Sequence, residues 1–186
     1  MRIISGQHGG RKISPPSKMP FTRPTTDIAK EGLFNILQNQ VDFEDISILD
    51  LFGGTGAITY ELKSRGAGKS VIVEKDPQMV AFIKNSVEKL GFNGVQVLRM
   101  EVFDFLKSCQ EKFDFIFAGP PYALATIDEI PKIIINRELL NPDGLFVLEH
   151  TPRNRYENYQ GFVKQRNYGT TIFSFFEMAE SGGKHE

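Results

Sequence analysis

Short apolar runs recur through the middle of the chain, and each of them predicts a buried strand. The runs occupy 46–52, 70–74, 95–98, 113–118 and 144–149. Between them lie helical patterns, in which apolar residues recur every three or four positions. The clearest extends from Pro77 to Leu90, with Asp76 as its N-cap and Gly91 at its end. Strands that alternate with helices at this spacing predict a parallel sheet built from βαβ units.

The two ends of the chain depart from this alternation. Near the N-terminus, RIIS and GRKI flank a glycine-rich stretch and predict a hairpin, and Asp27 to Gln38 predicts a helix. The buried face of that helix is expected to carry Ile28, Leu33, Phe34 and Leu37. The segment 161–178 predicts two strands around a turn near 167–169, and residues 181–186 are expected to fray.

The composition is that of a single globular domain. The chain has 186 residues, of which 40% are apolar and 24% charged, so a disordered or fibrous chain is excluded. No window approaches the ~18 consecutive apolar residues of a membrane helix, and the N-terminus has no apolar signal region. Cys109 is the only cysteine and the three histidines are scattered, which predicts no disulfide and no metal site. We therefore expect a cytoplasmic monomer without a membrane partner.

Charge is distributed unevenly along a chain whose net charge is −1. Residues 1–30 hold six basic side chains and one acid, whereas the remainder holds sixteen basic and twenty-two acidic side chains. A basic arm on an acidic body indicates contact with a polyanion such as nucleic acid, although a solvated terminus has the same composition. The arm residues expected to make this contact are Arg2, Arg11, Lys12 and Lys18.

A glycine string, Asp50-Leu-Phe-Gly-Gly-Thr-Gly56, follows the first predicted strand. Glycines at a strand-to-helix passage let a ligand approach the backbone and the free amides of the helix N-terminus. The dinucleotide pattern G-x-G-x-x-G/A fails here, because Thr59 stands at its third glycine position. The acid Asp50 suits a ligand with a cationic group and would repel a pyrophosphate. A glycine-rich turn without function is the alternative.

Two further features should face the same crevice, because ligands of parallel sheets bind beyond the carboxyl ends of the strands. Glu74 ends the second strand, where an acid can accept hydrogen bonds from ribose hydroxyls. Ala118-Gly-Pro-Pro-Tyr122 follows the fourth strand. Its prolines remove amide donors, so that carbonyls can accept from an amino group and Tyr122 can stack on a flat base. A rigid turn with a packed tyrosine is the alternative.

Taken together, these segments resemble the family of small-subunit rRNA guanine exocyclic-amine methyltransferases, which use S-adenosylmethionine. The resemblance is carried, in order and almost end to end, by MRIISGQHGGRK, TRPTTDIAKEGLFNIL, DLFGGTGA, VEKD, PPY and YGTTIFSFF. The glycine string and PPY belong to many methyltransferases, whereas TRPTTD running into KEGLFNIL is specific to this family. The implied fold is α/β, a Rossmann-like seven-stranded methyltransferase sheet with helices on both faces. The basic hairpin and helix at 1–40 would precede a core at 41–180.

The family pattern also assigns roles by position. S-adenosylmethionine is the implied cofactor, with Asp50 near its methionine ammonium and Glu74 on its ribose. Glu101, where the family often has Asp, would contact the adenine amine. The segment containing Arg23 and Thr25 is expected to close over the site. The other implied cofactor-binding residues are Phe52, Gly54, Gly56, Lys75 and Val102. The implied partner is small-subunit rRNA, bound through the basic arm.

The implied catalytic loop, Gly119-Pro120-Pro121-Tyr122, departs from the family at its first residue. The family has Asp or Asn there, and that side chain accepts a hydrogen bond from the target amine. Losing one positioned polar partner typically costs about 10²–10³ in rate, so we expect cofactor binding to survive and methyl transfer to be weakened. Two alternatives stay open: a methyltransferase for another amine, such as a DNA adenine or a protein amide, and a non-catalytic protein that binds S-adenosylmethionine and RNA.

Overall fold

A seven-stranded sheet forms the centre of the fold in the computed structural model, which describes residues 1–19 and 24–179. The strands are β1 (Ile48–Leu51), β2 (Ser70–Glu74), β3 (Val95–Arg99), β4 (Phe113–Ala118), β5 (Leu140–His150), β6 (Phe162–Tyr168) and β7 (Thr171–Glu177). They are ordered β3-β2-β1-β4-β5-β7-β6. The first five strands are mutually parallel, and β7 is antiparallel to β5 and β6. The predicted α/β fold and terminal hairpin are therefore confirmed.

Five helices connect the strands or precede them within the described ranges. They are α1 (Asp27–Leu37), α2 (Ala57–Ser64), α3 (Pro77–Leu90), α4 (Val102–Ser108) and α5 (Glu129–Asn136). The predicted bounds of α3 are confirmed: the Asp76 carboxylate accepts from two first-turn amides, and Gly91 ends the helix in the left-handed region at φ 68°. None of these helices is long and apolar enough to cross a membrane.

The sheet is buried on both faces, because alternate strand residues point to opposite sides. Ile116 and Phe146 pack with α4 and α5 on one face. Phe117 and Val147 pack with α1 and α2 on the other. The prediction that Ile28 joins the buried face of α1 is wrong, since its side chain is 77% exposed. The buried stripe of α1 instead comprises Ala29, Lys30, Leu33, Phe34 and Leu37.

The N-terminal arm, residues 1–19, contacts α2 through hydrogen bonds to Ser64 and to one buried carboxylate. Glu61 is fully buried, and its two oxygens accept from the backbone amides of Ile4 at 2.8 Å and Ser5 at 3.1 Å. The Lys30 ammonium lies 3.5 Å from the same carboxylate, and the Arg65 guanidinium lies 3.0 Å from it. Burial lowers the pKa of Lys30, and Glu61 partly opposes this. The arm and α1 are thus joined to α2 through Glu61.

The hairpin predicted in this arm is reduced to one antiparallel bridge between Arg2 and Lys12. Lys30 is one of the six basic residues among the first thirty, but it adds no charge to the surface because its side chain is buried in an ion pair with Glu61. The other described basic side chains of the arm are exposed, namely those of Arg2, Arg11, Lys12 and Lys18. The predicted fraying of 181–186 concerns residues outside the described ranges.

Truncating the buried carboxylate should be far more costly than truncating an exposed one. We expect Glu61→Ala to lower the free energy of unfolding by about 3–5 kcal/mol, because it leaves the Lys30 cation buried without its partner. Glu111→Ala is the matched control, since Glu111 pairs with Lys69 at the surface and such pairs contribute less than about 1 kcal/mol. Urea unfolding of both variants tests this, and equal losses would contradict it.

Candidate active site

A crevice of about 790 Å³ opens beyond the carboxyl ends of β1, β2 and β4. It brings together most of the residues that the sequence singled out. These are Thr25, Asp50, Phe52, Gly54, Glu74, Lys75, Glu101, Val102, Gly119, Pro120, Pro121 and Tyr122. Gly56 is not part of the lining, because it serves as the N-cap of α2. Arg23 lies outside the described residues. The structure also adds apolar walls, among them Met100 and Phe117.

The glycine string and Glu74 fix each other's positions. The Gly54 amide donates to Glu74 Oε2 at 2.7 Å, and the Asp76 amide donates to Glu74 Oε1 at 3.0 Å. Gly54 and Gly56 both have positive φ, of 58° and 82°, a region that glycine occupies without steric cost. A Cβ at Gly56 would lie 2.5 Å from the Tyr60 ring. Backbone therefore lines this side of the crevice, with a carboxylate held beneath it.

Asp50 presents a second buried carboxyl group to the crevice. It is 2% exposed, and the Thr59 hydroxyl donates to its Oδ2 at 2.7 Å. Burial raises the pKa of Asp50 to about 7, the Thr59 hydrogen bond opposes this rise, and the nearby charge of Glu74 adds to it. The group is therefore poised between its two forms near neutral pH. A ligand cation placed beside it would favour the ionised form.

The outer rim of the crevice carries an exposed ion pair. Lys75 Nζ lies 3.2 Å from Glu101 Oε1, and both side chains are at least half exposed. Glu101 is also the N-cap position of α4, although its side chain makes no capping hydrogen bond. Val102 is buried beside it. The acid expected to contact an adenine amine thus has a rim position from which its long side chain can turn inward.

The catalytic loop predicted at 119–122 forms a hydrogen bond to Glu149, a residue that was not predicted to be part of the site. Glu149, near the end of β5, is 5% exposed and lines the crevice. The Tyr122 hydroxyl donates to Glu149 Oε1 at 2.9 Å and lies 3.2 Å from Thr171 Oγ1. The Thr25 hydroxyl donates to Glu149 Oε2 at 2.7 Å. One carboxylate therefore joins the segment before α1 to the loop after β4.

The next residue, His150, points away from this cluster. Its Nε2 lies 2.7 Å from Ser174 Oγ, and its Nδ1 lies 2.9 Å from the Thr151 carbonyl. Burial lowers the pKa of His150 and so favours its neutral form. The residue therefore has a structural role in packing and hydrogen bonding. Among the residues described, no three His, Cys, Asp or Glu side chains are grouped closely enough to hold a metal ion.

The chain is similar to known proteins in both sequence and fold. The family model described as conserved hypothetical protein 95 matches residues 1–177. Ribosomal RNA small subunit methyltransferase D of Haemophilus influenzae is 31% identical over 184 residues, which cover 95% of this chain and 93% of that protein. A hypothetical protein of Thermus thermophilus has a TM-score of 0.82 at 29% identity, over 96% of this chain and 99% of that one.

One similar solved structure also contains ligands. The 16S rRNA N2 G1207 methyltransferase of T. thermophilus was solved in complex with AdoMet and guanosine. It has a TM-score of 0.67 at 26% identity, and the match covers 86% of this chain and 45% of that one. The chain is thus similar to methyltransferases along nearly its whole length.

The raised pKa of Asp50 should appear in the pH dependence of stability. From its ordinary value of 3.8 to about 7, the folded protein keeps a proton on Asp50 that the unfolded chain has lost. Relative to Asp50→Asn, the wild type should therefore lose stability as the pH rises through this window, by about 1.4 kcal/mol per pH unit. Above the upper limit the difference should level off. Urea unfolding of both proteins at several pH values measures it, and a constant difference would contradict the assignment.

Proposed function

The chain belongs to the family described as conserved hypothetical protein 95, and we propose that it methylates the exocyclic amine of a guanine in small-subunit rRNA, with S-adenosylmethionine as the methyl donor. The observation that carries the proposal is the meeting of Asp50, Glu74 and the loop 119–122 in one crevice. Relatives named as small-subunit rRNA methyltransferases support the substrate class. The relative with guanosine bound supports the choice of base.

The residues of the crevice suit S-adenosylmethionine. Asp50 is a buried carboxyl group whose ionised form needs a cation, which the methionine ammonium would provide. Glu74 is oriented by two backbone amides and would accept from the ribose hydroxyls. Glu101 would accept from the adenine amine at the rim. When bound, the cofactor supplies a methyl group on a positively charged sulfur.

The surroundings of the crevice suit a polyanionic substrate. The Thr55 hydroxyl lies 3.7 Å from the Met1 sulfur, so the exposed basic arm begins at the border of the crevice. Arg153 and Arg155, in the loop after β5, are also exposed. A paired base cannot reach such a site, so the target guanine is unpaired or flipped out of its helix. The protein acts in the cytoplasm on ribosomal particles or on their RNA.

Label transfer from S-adenosylmethionine to small ribosomal subunits that lack the modification tests this proposal. Digestion of the RNA should place the label on the 2-amino group of a guanine. Label on adenine would instead favour the alternative in which the enzyme acts on another amine. Binding of S-adenosylmethionine without any transfer would favour the non-catalytic alternative.

Glu74→Gln should weaken the binding of S-adenosylmethionine by at least about tenfold, because glutamine has one acceptor oxygen and can accept from only one of the Gly54 and Asp76 amides. Glu88→Gln is the matched control, since Glu88 is exposed on α3 and is not part of the crevice lining, and its effect should stay within about threefold. Calorimetric titration measures both affinities. Equal affinities for the two variants would remove Glu74 from the cofactor site.

A further inference from the structure

The space that an Asp or Asn side chain would use at position 119 is bordered by another carboxylate. A Cβ built on Gly119 would lie 3.3 Å from Glu149 Oε2 and 3.0 Å from the Phe117 ring. Both carboxylate oxygens of Glu149 are within hydrogen-bonding distance of crevice hydroxyls. The acceptor missing from the catalytic loop is therefore present nearby, on a different strand.

Strand register explains this proximity. β4 and β5 are parallel neighbours, in which Phe117 pairs with Val147 and Ala118 pairs with Leu148. Continuing the same register by one residue sets Gly119 opposite Glu149. Neighbouring strands of a sheet lie about 4.8 Å apart, so an acid at 149 reaches the space beside residue 119.

We propose that the Glu149 carboxylate accepts the hydrogen bond from the target amine that the first residue of the loop cannot accept in this chain. The inference rests on the proposed function, because it names the group that orients the guanine amine. An ionised carboxylate is an acceptor only and offers about four lone-pair positions. The amine would bind to it in exchange for a hydrogen bond that the carboxylate makes within the protein, such as the one from the Thr25 or the Tyr122 hydroxyl.

The chemistry of the amine explains why such an acceptor matters. The lone pair of an exocyclic amine is delocalised into the base, so the nitrogen is a weak nucleophile. A hydrogen bond from its N–H to a carboxylate increases the electron density on nitrogen and fixes the direction of the lone pair. Charge-assisted hydrogen bonds of this kind are about twice as strong as neutral ones. Glu149 would thereby supply both the acceptor and the orientation.

Activity of three variants separates this role from a purely structural one. Glu149→Ala should lower kcat for subunit methylation, measured at saturating S-adenosylmethionine, about 10²–10³-fold. Adding Gly119→Asp to Glu149→Ala should raise kcat at least about tenfold above that of Glu149→Ala, because it places a carboxylate close to where that of Glu149 was. Adding Gly119→Ala to Glu149→Ala is the matched control, which fills space without an acceptor and should restore nothing.

A second measurement needs no turnover and distinguishes the amine from the rest of the base. With S-adenosylhomocysteine bound, guanosine should bind Glu149→Ala at least about tenfold more weakly than it binds the wild type. Inosine lacks the 2-amino group and should bind both proteins equally. Circular dichroism melting of each variant shows whether the fold is retained.

The outcomes distinguish this inference from the function on which it rests. Absence of methyl transfer to subunits by the wild type overturns the proposed function, and the inference with it. Transfer by the wild type and by Glu149→Ala at the same kcat overturns the inference alone. Equal restoration by Gly119→Asp and Gly119→Ala, or equal weakening of guanosine and inosine binding, would show that Glu149 acts only through packing.

Discussion

A carboxylate removed from water must be given hydrogen-bond donors or a cation. In the part of the chain that the structure describes, four buried acids meet that requirement in different ways. Glu61 receives two backbone amides of the N-terminal arm and two cations. Glu74 accepts from two backbone amides, and the partners of Glu149 include the Thr25 and Tyr122 hydroxyls. Asp50 receives the Thr59 hydroxyl, and its pKa is raised to about 7. Asp50, whose burial favours its neutral form, therefore lies where a cationic ligand would dock.

The same interactions connect the arm to the crevice. Lys30 bonds to Glu61 and also donates to the Arg2 carbonyl at 2.8 Å, so the start of α1 is tied to the arm. Thr25, just before that helix, bonds to Glu149 in the crevice. A polyanion bound by the exposed residues of the arm would thus contact a segment that is joined directly to the site. The arm and the crevice are thus joined by polar contacts at the start of α1.

The parallel sheet, the terminal hairpin and the crevice could be predicted because each depends on local pattern. Apolar runs mark strands, and the rule that ligands bind beyond strand ends places Asp50, Glu74 and the loop after β4 together. Ile28 was predicted to be buried because apolar character alone does not fix the phase of a short helix. The position of Lys30 depends on Glu61, which lies thirty-one positions further along the chain. Only the packed structure brings those two residues together.

Glu149 was missed for a related reason. A motif is recognised within one segment, whereas the partner of position 119 comes from the neighbouring strand and becomes visible only with the register of β4 against β5. The sequence does show an acid, Glu149, at the end of a buried apolar run. Only the pairing of Ala118 with Leu148 shows that this acid lies beside Gly119. The chemistry of the site depends on an acceptor's position in space and not on the strand that supplies it. Gly119 alone is therefore not a sufficient reason to infer that methyl transfer is lost. The neighbouring strand β5 carries the buried Glu149 carboxylate beside the position of Gly119.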